Sequence, residues 1–386
     1  MKQAIIITEN QYPCEDAGAI RQHATAKILM ELGYKVLVLG YGAPTERKIK
    51  TFEGVDYISF RPDSANLWVR AAYRASVCLR MMRFLRRLPA PDLILVADVS
   101  NTAIIRRLSA YGRKHGCTLV HDSVEWFSPH QFARGERAHA YRVRDAINRR
   151  LVAKGWRVMA ISAYLEEHFK KQCDKVARVP VIMDTETISC RRDVSDGKIS
   201  LAYVGSPGKK DYLAQMIAGL ALLPPEKREN TVFHVVGATK AQLVSICGAD
   251  AAHIEALGET LVAHGRLPHK EAIDFVKRAD FTLLFRDNSL RYARAGFPTK
   301  IVESLSSGTP PICNLSSDLG LYLEDGKNAF FAAGFAPEDI KEALEKALAT
   351  SSEERAEMRA AARKTAEEQF DYRHYVNALA DLVGEN

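Results

Sequence analysis

The sequence predicts an α/β protein made of two doubly wound domains in tandem. Short β-branched apolar runs recur along the chain, among them AIIIT from Ala4, KVLVLG from Lys35 and DLILVAD from Asp92. They are unbroken rather than alternating, which marks parallel strands buried on both faces. Helical patterns separate them, and the series starts again after a polar stretch near the middle of the chain. With 386 residues, 47% of them hydrophobic and 26% charged, there is material for two cores of ordinary size.

In chain order, CTLVHD from Cys117 and RVMAIS from Arg157 complete a first domain, expected over residues 1–183. VPVIMD (Val179–Asp184) leads into TETISCRRDVSDGK, where apolar residues are sparse and no helical period survives, so residues 184–197 read as an interdomain linker. KISLAYVG from Lys198, TVFHVVG from Thr231, DFTLLF from Asp280 and TPPICN from Thr309 then outline a second domain over 198–370. The longest apolar stretch, Leu213 to Leu223, is about half of what a membrane-spanning helix needs and reads as a core helix. The tail from Ser352 is rich in Ala, Glu and Arg and reads as helical, with residues 371–386 expected to pack back on the first domain. Two such domains are expected to face a cleft between the carboxyl ends of their sheets, where open α/β folds bind ligands.

Charge is distributed unevenly. Residues 1–185 carry 30 Lys and Arg against 18 Asp and Glu, net +12, while residues 186–386 carry 24 against 29, net −5. The basic half is expected to meet an anionic membrane surface rather than nucleic acid. Its segment Leu67 to Asp92 mixes Trp68, Tyr73, Met81, Met82 and Phe84 with six arginines, as an interfacial helix would. The competing reading is a surface helix whose arginine stems cover apolar neighbours. Seven cysteines are scattered singly, without CxxC, so neither a disulfide framework nor a zinc site is expected. The first residues lack the apolar run of a secretory leader. A cytoplasmic protein, peripheral at the inner face of a membrane, is the expectation.

Several loops carry the residue types of a ligand site. Gly18 precedes the helix outlined by Ile20, Ala24, Ile28 and Leu32, where a glycine lets an anion approach a helix N-terminus. No GxGxxG follows a strand and no Walker A sequence is present, which disfavours a nicotinamide dinucleotide or a P-loop. Gly205 ends a predicted strand, and Gly208, Lys209 and Lys210 follow it, a turn suited to a diphosphate. The richest segment is RYARAGFPTKIVESLSSGTPPICN, a loop running into a helix that Thr299 is expected to cap and Gly308 to terminate. Lys300 then stands in the first turn, where it opposes the helix dipole at a cost of about 0.3–1 kcal/mol that a bound anion would remove. Glu303 lies one turn further on the same face, so an i,i+3 ion pair is the bland alternative. In the first half, CTLVHD ends in His121 and Asp122 and is followed by Glu125, Trp126, Phe127 and His130. Ionisable groups at such a strand end are candidates for chemistry, with a satisfied core histidine as the alternative for His121.

These segments, in their order and spacing, resemble the retaining family 4 glycosyltransferases and their GT-B relatives over nearly the whole chain. VGSPGKKDYL resembles that family's glycine-then-KGxD donor turn, with Lys209 and Asp211 on the matching positions, and GRLPHKEAIDFVKRADFTLLF, beginning at Gly265 and Arg266, resembles its base-binding stretch. Glu303, Gly308 and Pro310 match the family's signature and Phe297 fits it, but the first of its two glutamates is replaced by Ala295, and Pro298 and Lys300 also depart. The resemblance implies an N-terminal acceptor domain and a C-terminal donor domain. It implies that Glu303 binds the donor ribose, with the amides of Lys300 and Ile301 near the phosphates, and that Gly18, Gly205, Lys210 and Thr299 also serve the donor. His121 is the best match to the catalytic histidine, with Asp122 and Glu125 competing for that role. The implied reaction moves a sugar, with retention, from a nucleotide-diphosphate donor to an acceptor hydroxyl on a glycan or lipid-linked envelope intermediate. A UDP-sugar is favoured over a GDP-sugar. No DxD pair stands in a loop, so neither metal nor cofactor is expected. A GT-B sugar-nucleotide epimerase and a non-catalytic donor-binding subunit are the alternatives.

Overall fold

The computed structural model describes residues 2–13, 16–44, 48–190, 197–208 and 210–385. The chain divides into two compact units. The first runs to Asp184 and includes Arg294–Phe297 and the chain from Asp371; the second holds Thr185–Ala293 and Pro298–Phe370.

The first unit is built on eight strands: β1 (Lys2–Thr8), β2 (Tyr34–Pro44), β3 (Lys50–Phe52), β4 (Val55–Arg61), β5 (Leu93–Ala97), β6 (Thr118–Ser123), β7 (Arg157–Ala160) and β8 (Lys175–Arg178). Their order is β3-β4-β2-β1-β5-β6-β7-β8. All neighbours are parallel except β3 and β4, which form an antiparallel hairpin. Its two turn residues, Glu53 and Gly54, have φ of 44° and 81°, the left-handed pair that suits the twist of a tight hairpin. The strand order reverses at β1, which pairs with β2 on one side and β5 on the other. Ile6, Val38, Leu95 and Val120 fill the core beneath.

The second unit holds β9 (Ile199–Val204), β10 (Thr231–Val236), β11 (Leu261–Gly265), β12 (Phe281–Leu284), β13 (Pro311–Cys313) and β14 (Phe330–Phe331), in the order β11-β10-β9-β12-β13-β14. Every pairing is parallel, and the order reverses between β9 and β12. Tyr203, Phe233, Phe281 and Phe285 form its core with the apolar face of helix Leu213–Ala221. Both units are Rossmann-like, each a doubly wound, largely parallel sheet.

Five strands escape a search for apolar runs. β3, β8 and β11 carry a charged or polar residue in a short sheet-edge position, β4 is interrupted by Asp56, and β14 is two residues long. The predicted linker begins with the short turn Thr185–Thr187, while its residues 191–196 lie outside the described residues. The arginine-rich segment is one helix, Leu67–Leu85, started by Asn66, whose Oδ1 accepts from the backbone of Trp68 at 2.8 Å. No helix among the described residues is long and apolar enough to cross a membrane.

Candidate functional site

In the second unit, the carboxyl ends of β9 and β12 flank the point where strand order reverses, the position at which open α/β sheets present ligands. Gly205 follows β9 with φ of +137°, and Gly237 follows β10 with φ of +118°. Their backbones approach so closely that a Cβ on Gly237 would lie 2.2 Å from the Gly205 carbonyl oxygen. A Cβ on Gly205 would itself lie 2.6 Å from Cε of Lys300, so the absent side chain is the space through which the lysine reaches the sheet.

Lys300 comes from helix Thr299–Ser306. Its Nζ donates to the Asp211 carboxylate at 3.0 Å and to the Tyr203 hydroxyl at 2.9 Å, and sits 4.2 Å from the centroid of the Tyr203 ring. Asp211 in turn accepts from the Gly208 amide at 2.7 Å, closing the turn after β9, and lies 3.3 Å from Nη1 of Arg286 at the end of β12. Two cations thus share one carboxylate. Burial by itself would raise the Asp211 carboxyl, but Lys300 and Arg286 more than offset it and hold it below its ordinary value. Burial lowers Lys300, Asp211 pulls it back, and Arg286 lowers it again, with a net fall. Asp211 falls because two cations face it, whereas Lys300 falls first because it is buried and only then because Arg286 stands beside it.

Glu303 stands one turn beyond Lys300. Its carboxylate has no hydrogen-bond partner among the described residues, and burial pushes it up to about 7 against the opposing pull of Lys300. The i,i+3 ion pair that is the bland alternative for these two residues does not form; Lys300 turns to Asp211 instead. A half-buried acceptor without a donor in the chain carries part of its desolvation cost uncompensated, and here it stands beside a carboxylate that two cations share. The helix start is open as well: Pro298 rather than Thr299 occupies the N-cap, and no side chain caps it among the described residues. At the other end Gly308, with φ of +68°, terminates the helix as its sequence predicts.

The remaining expected donor residues are spread more widely. Lys209 lies outside the described residues. The Lys210 carbonyl receives Arg286, Gly265 ends β11 with φ of +68°, and Arg266 beside it is exposed. Ile301 is buried in the helix, and Phe297 is buried in the first unit. Gly18 also belongs to the first unit, and its reason is steric: a Cβ there would lie 2.0 Å from the Asn10 amide nitrogen. The Asp16 carboxylate already caps that helix, accepting from Ala19 at 2.7 Å, so the helix end is not vacant for an anion.

The three candidates at the end of β6 have different surroundings. Asp122 is locked in a buried pair with Arg21, whose Nε and Nη2 lie 3.0 and 2.9 Å from its oxygens and whose remaining donors reach the Val179 and Pro180 carbonyls. That makes it an anchor between β6 and the helix Ala17–Glu31 rather than a free base. His121 is buried, and desolvation, only partly countered by Asp122, lowers it to about 4, so the imidazole is neutral at physiological pH. Its Nδ1 has no hydrogen-bond partner among the described residues. Glu125 is half-buried, with Gln131 donating to it at 3.4 Å. Trp126 is buried and donates to Asp145 at 2.9 Å. Tyr203 and Arg286, which complete the cluster in the second unit, are not singled out by any loop motif; their only signal is that each stands at the last turn of a buried run.

The family model for glycosyl transferases group 1 matches residues 184–365, the stretch that carries Gly205, Asp211, Arg286, Lys300 and Glu303. Residues 184–365 form a glycosyl transferases group 1 domain. No curated protein matches the chain in sequence. Solved structures resemble the group 1 domain and the first unit together. Sucrose-phosphate synthase from Thermosynechococcus elongatus superposes with a TM-score of 0.76 at 13% identity, covering 100% of this chain and 99% of that one. Trehalose-6-phosphate synthase, OtsA, gives 0.71 at 12% identity, with 100% and 99% covered. Anabaena HepE, solved in complex with UDP and glucose, gives 0.67 at 14% identity, with both chains covered entirely. At such identities the likeness is one of fold.

Proposed function

We propose that the protein is a glycosyltransferase that takes a sugar from a nucleotide-diphosphate donor, with UDP favoured, and transfers it with retention of configuration to an acceptor hydroxyl. The observation that carries this reading is Glu303, a half-buried acceptor without a partner among the described residues, beside a carboxylate shared by two cations at the switch point of the group 1 domain. A ribose offers two hydroxyl donors to the carboxylate, and a diphosphate offers the negative charge. Two of the three Lys300 protons are engaged by Tyr203 and Asp211, which leaves one for a phosphate oxygen. As the bond between C1 and the diphosphate oxygen breaks, that oxygen gains charge, and a preoriented ammonium beside an uncapped helix start stabilises it more than it stabilises the ground state. The binding of UDP by HepE supports the choice of nucleotide.

The acceptor reading is an envelope glycan or lipid-linked intermediate, met by a cytoplasmic protein peripheral to the membrane. Helix Leu67–Leu85 supports it: Leu67 and Trp68 are 75% and 84% exposed at its start, with arginines along its length. A thermal-shift screen of nucleoside diphosphates and nucleotide-sugars tests the donor, since a ligand of the native state raises the melting temperature. UDP and UDP-sugars are expected to stabilise the protein. A chain that no nucleotide stabilises is not such an enzyme, and one that binds UDP but transfers no sugar to membrane extract is a donor-binding subunit.

A further inference from the structure

A second concave site lies wholly within the first unit. Its cavity of about 500 Å³ opens at the carboxyl ends of β1, β2 and β5, where that sheet reverses its strand order. The floor is formed by Glu9, which follows β1, by Gly42 near the end of β2, and by Ser100 after β5. Gly42 is there because the two chain segments touch: a Cβ on it would lie 1.5 Å from the Glu9 carbonyl oxygen. Glu9 is fixed as an acceptor by the Tyr41 hydroxyl at 3.3 Å and by the Ser100 hydroxyl, and Tyr41 is held in turn by the Tyr73 hydroxyl, which donates to its carbonyl at 2.8 Å.

The walls are cationic. Arg70, Tyr73, Arg74 and Val77 line one side from a single face of helix Leu67–Leu85, at i, i+3, i+4 and i+7 spacing. Arg144, on helix His139–Ala146, faces them, and Arg61 at the end of β4 completes the rim. Four guanidinium groups therefore surround a single carboxylate. Two have local employment: Arg61 donates to the Gly42 carbonyl at 2.6 Å, and Arg144 lies 4.9 Å from the Phe127 ring centroid and 3.9 Å from Asp98. Arg70 and Arg74 have no hydrogen-bond or ion-pair partner among the described residues. Paired forks of this kind match the oxygens of a phosphoryl group, while the fixed Glu9 and Ser100 below suit sugar hydroxyls.

We infer that this cavity binds the acceptor through a phosphoryl group, so that the acceptor is a phosphorylated sugar, free or carried on a lipid. The inference rests on the glycosyltransferase reading for the word acceptor, but the anion site stands on its own geometry. The test uses the full chain and the Arg70→Gln, Arg74→Gln double variant, which keeps good helix formers at exposed positions. Binding of inorganic phosphate, glucose, glucose 6-phosphate and UDP is measured by calorimetry, with phosphatidylcholine vesicles, with and without phosphatidylglycerol, as competitors.

Glucose 6-phosphate is expected to bind and glucose not, and the double variant is expected to lose about tenfold or more in affinity for glucose 6-phosphate and phosphate, with UDP affinity unchanged. Displacement of glucose 6-phosphate by the anionic vesicles alone identifies a lipid-borne phosphoryl group, and its absence a soluble one. Equal binding of glucose and glucose 6-phosphate, or an unaltered double variant, overturns the inference while leaving UDP binding intact. Failure of the wild-type chain to bind UDP overturns the donor reading instead.

Discussion

The ends of two buried strands in this molecule present charge in opposite ways. After β6, Asp122 and Arg21 are 1% and 4% exposed at their side chains, and every strong donor of the guanidinium is matched to a carboxylate or a carbonyl. After β9 and β12, one carboxylate serves two cations and a second, on Glu303, has no donor among the described residues. Buried charges retained for structure are completed by the chain that buries them, whereas a carboxylate left incomplete beside shared cations is a candidate for a ligand the chain does not supply. Carboxylates near strand ends of two related folds are thus separated by their partners.

The largest test of this contrast is Asp122→Ala. It strands the Arg21 guanidinium in the core and is expected to destabilise the first unit by about 3–5 kcal/mol, read as a fall in the urea midpoint. Donor binding by whatever folded protein remains should not change. Were Asp122→Ala as stable as the parent but inactive, the pair would be catalytic and the contrast would collapse.

Glu303→Ala should do the reverse. Removing an unpartnered carboxylate relieves a desolvation cost, so the fold is expected to hold or gain stability. UDP affinity is expected to fall by about ten- to a hundredfold, the worth of one or two hydrogen bonds to a charged group. Calorimetry with UDP checks it, and unchanged affinity would remove Glu303 from the site.

Gly205→Ala is smaller and acts on both properties. The φ of +137° strains any residue with a Cβ, at about 1–3 kcal/mol, and the new methyl would occupy the path of Lys300 toward Asp211. A modest loss of melting temperature with a clear loss of UDP binding is expected. If stability falls and binding does not, the position of Lys300 is irrelevant to the donor.

How much of this is legible before the structure depends on whether the signal is local. The central strands of both sheets follow from unbroken apolar runs because burial on both faces leaves no other composition. The edges do not: KVAR at β8 and LVAHG at β11 form no unbroken apolar run, since solvent lets them carry charged or polar residues. Within the site, Gly205, Lys300 and Glu303 stand out through turn and helix chemistry. Tyr203 and Arg286 do not, because their meeting with Lys300 is made by two strand ends and a helix from distant parts of the chain, and spacing carries no trace of it. For His121 the sequence leaves chemistry and a place in the core both open. A histidine at a strand end has the right address for chemistry, yet its burial against Phe169 is a packing fact that only coordinates reveal.

The smallest expected effect separates the two carboxylates of the cluster itself. Folding raises Glu303 from 4.5 to about 7, which means the fold favours its protonated form. Its contribution to stability is therefore complete below about 4.5 and is lost as pH rises through about 7. Folding lowers Asp211, so its contribution is present above 3.8 and is lost only as pH falls through its depressed value. Between about pH 5 and pH 8 the Asp211 contribution is constant and Glu303 alone of the pair titrates. Urea midpoints measured across that range should fall for the parent by the equivalent of about 1–2 kcal/mol, a figure trimmed for the partial exposure of Glu303. Glu303→Gln, which cannot ionise, should remove that part of the slope and leave the rest. If the variant keeps the parent's full slope, Glu303 is solvated and paired like any surface carboxylate, and the incomplete cluster that distinguishes the group 1 domain from the end of β6 does not exist.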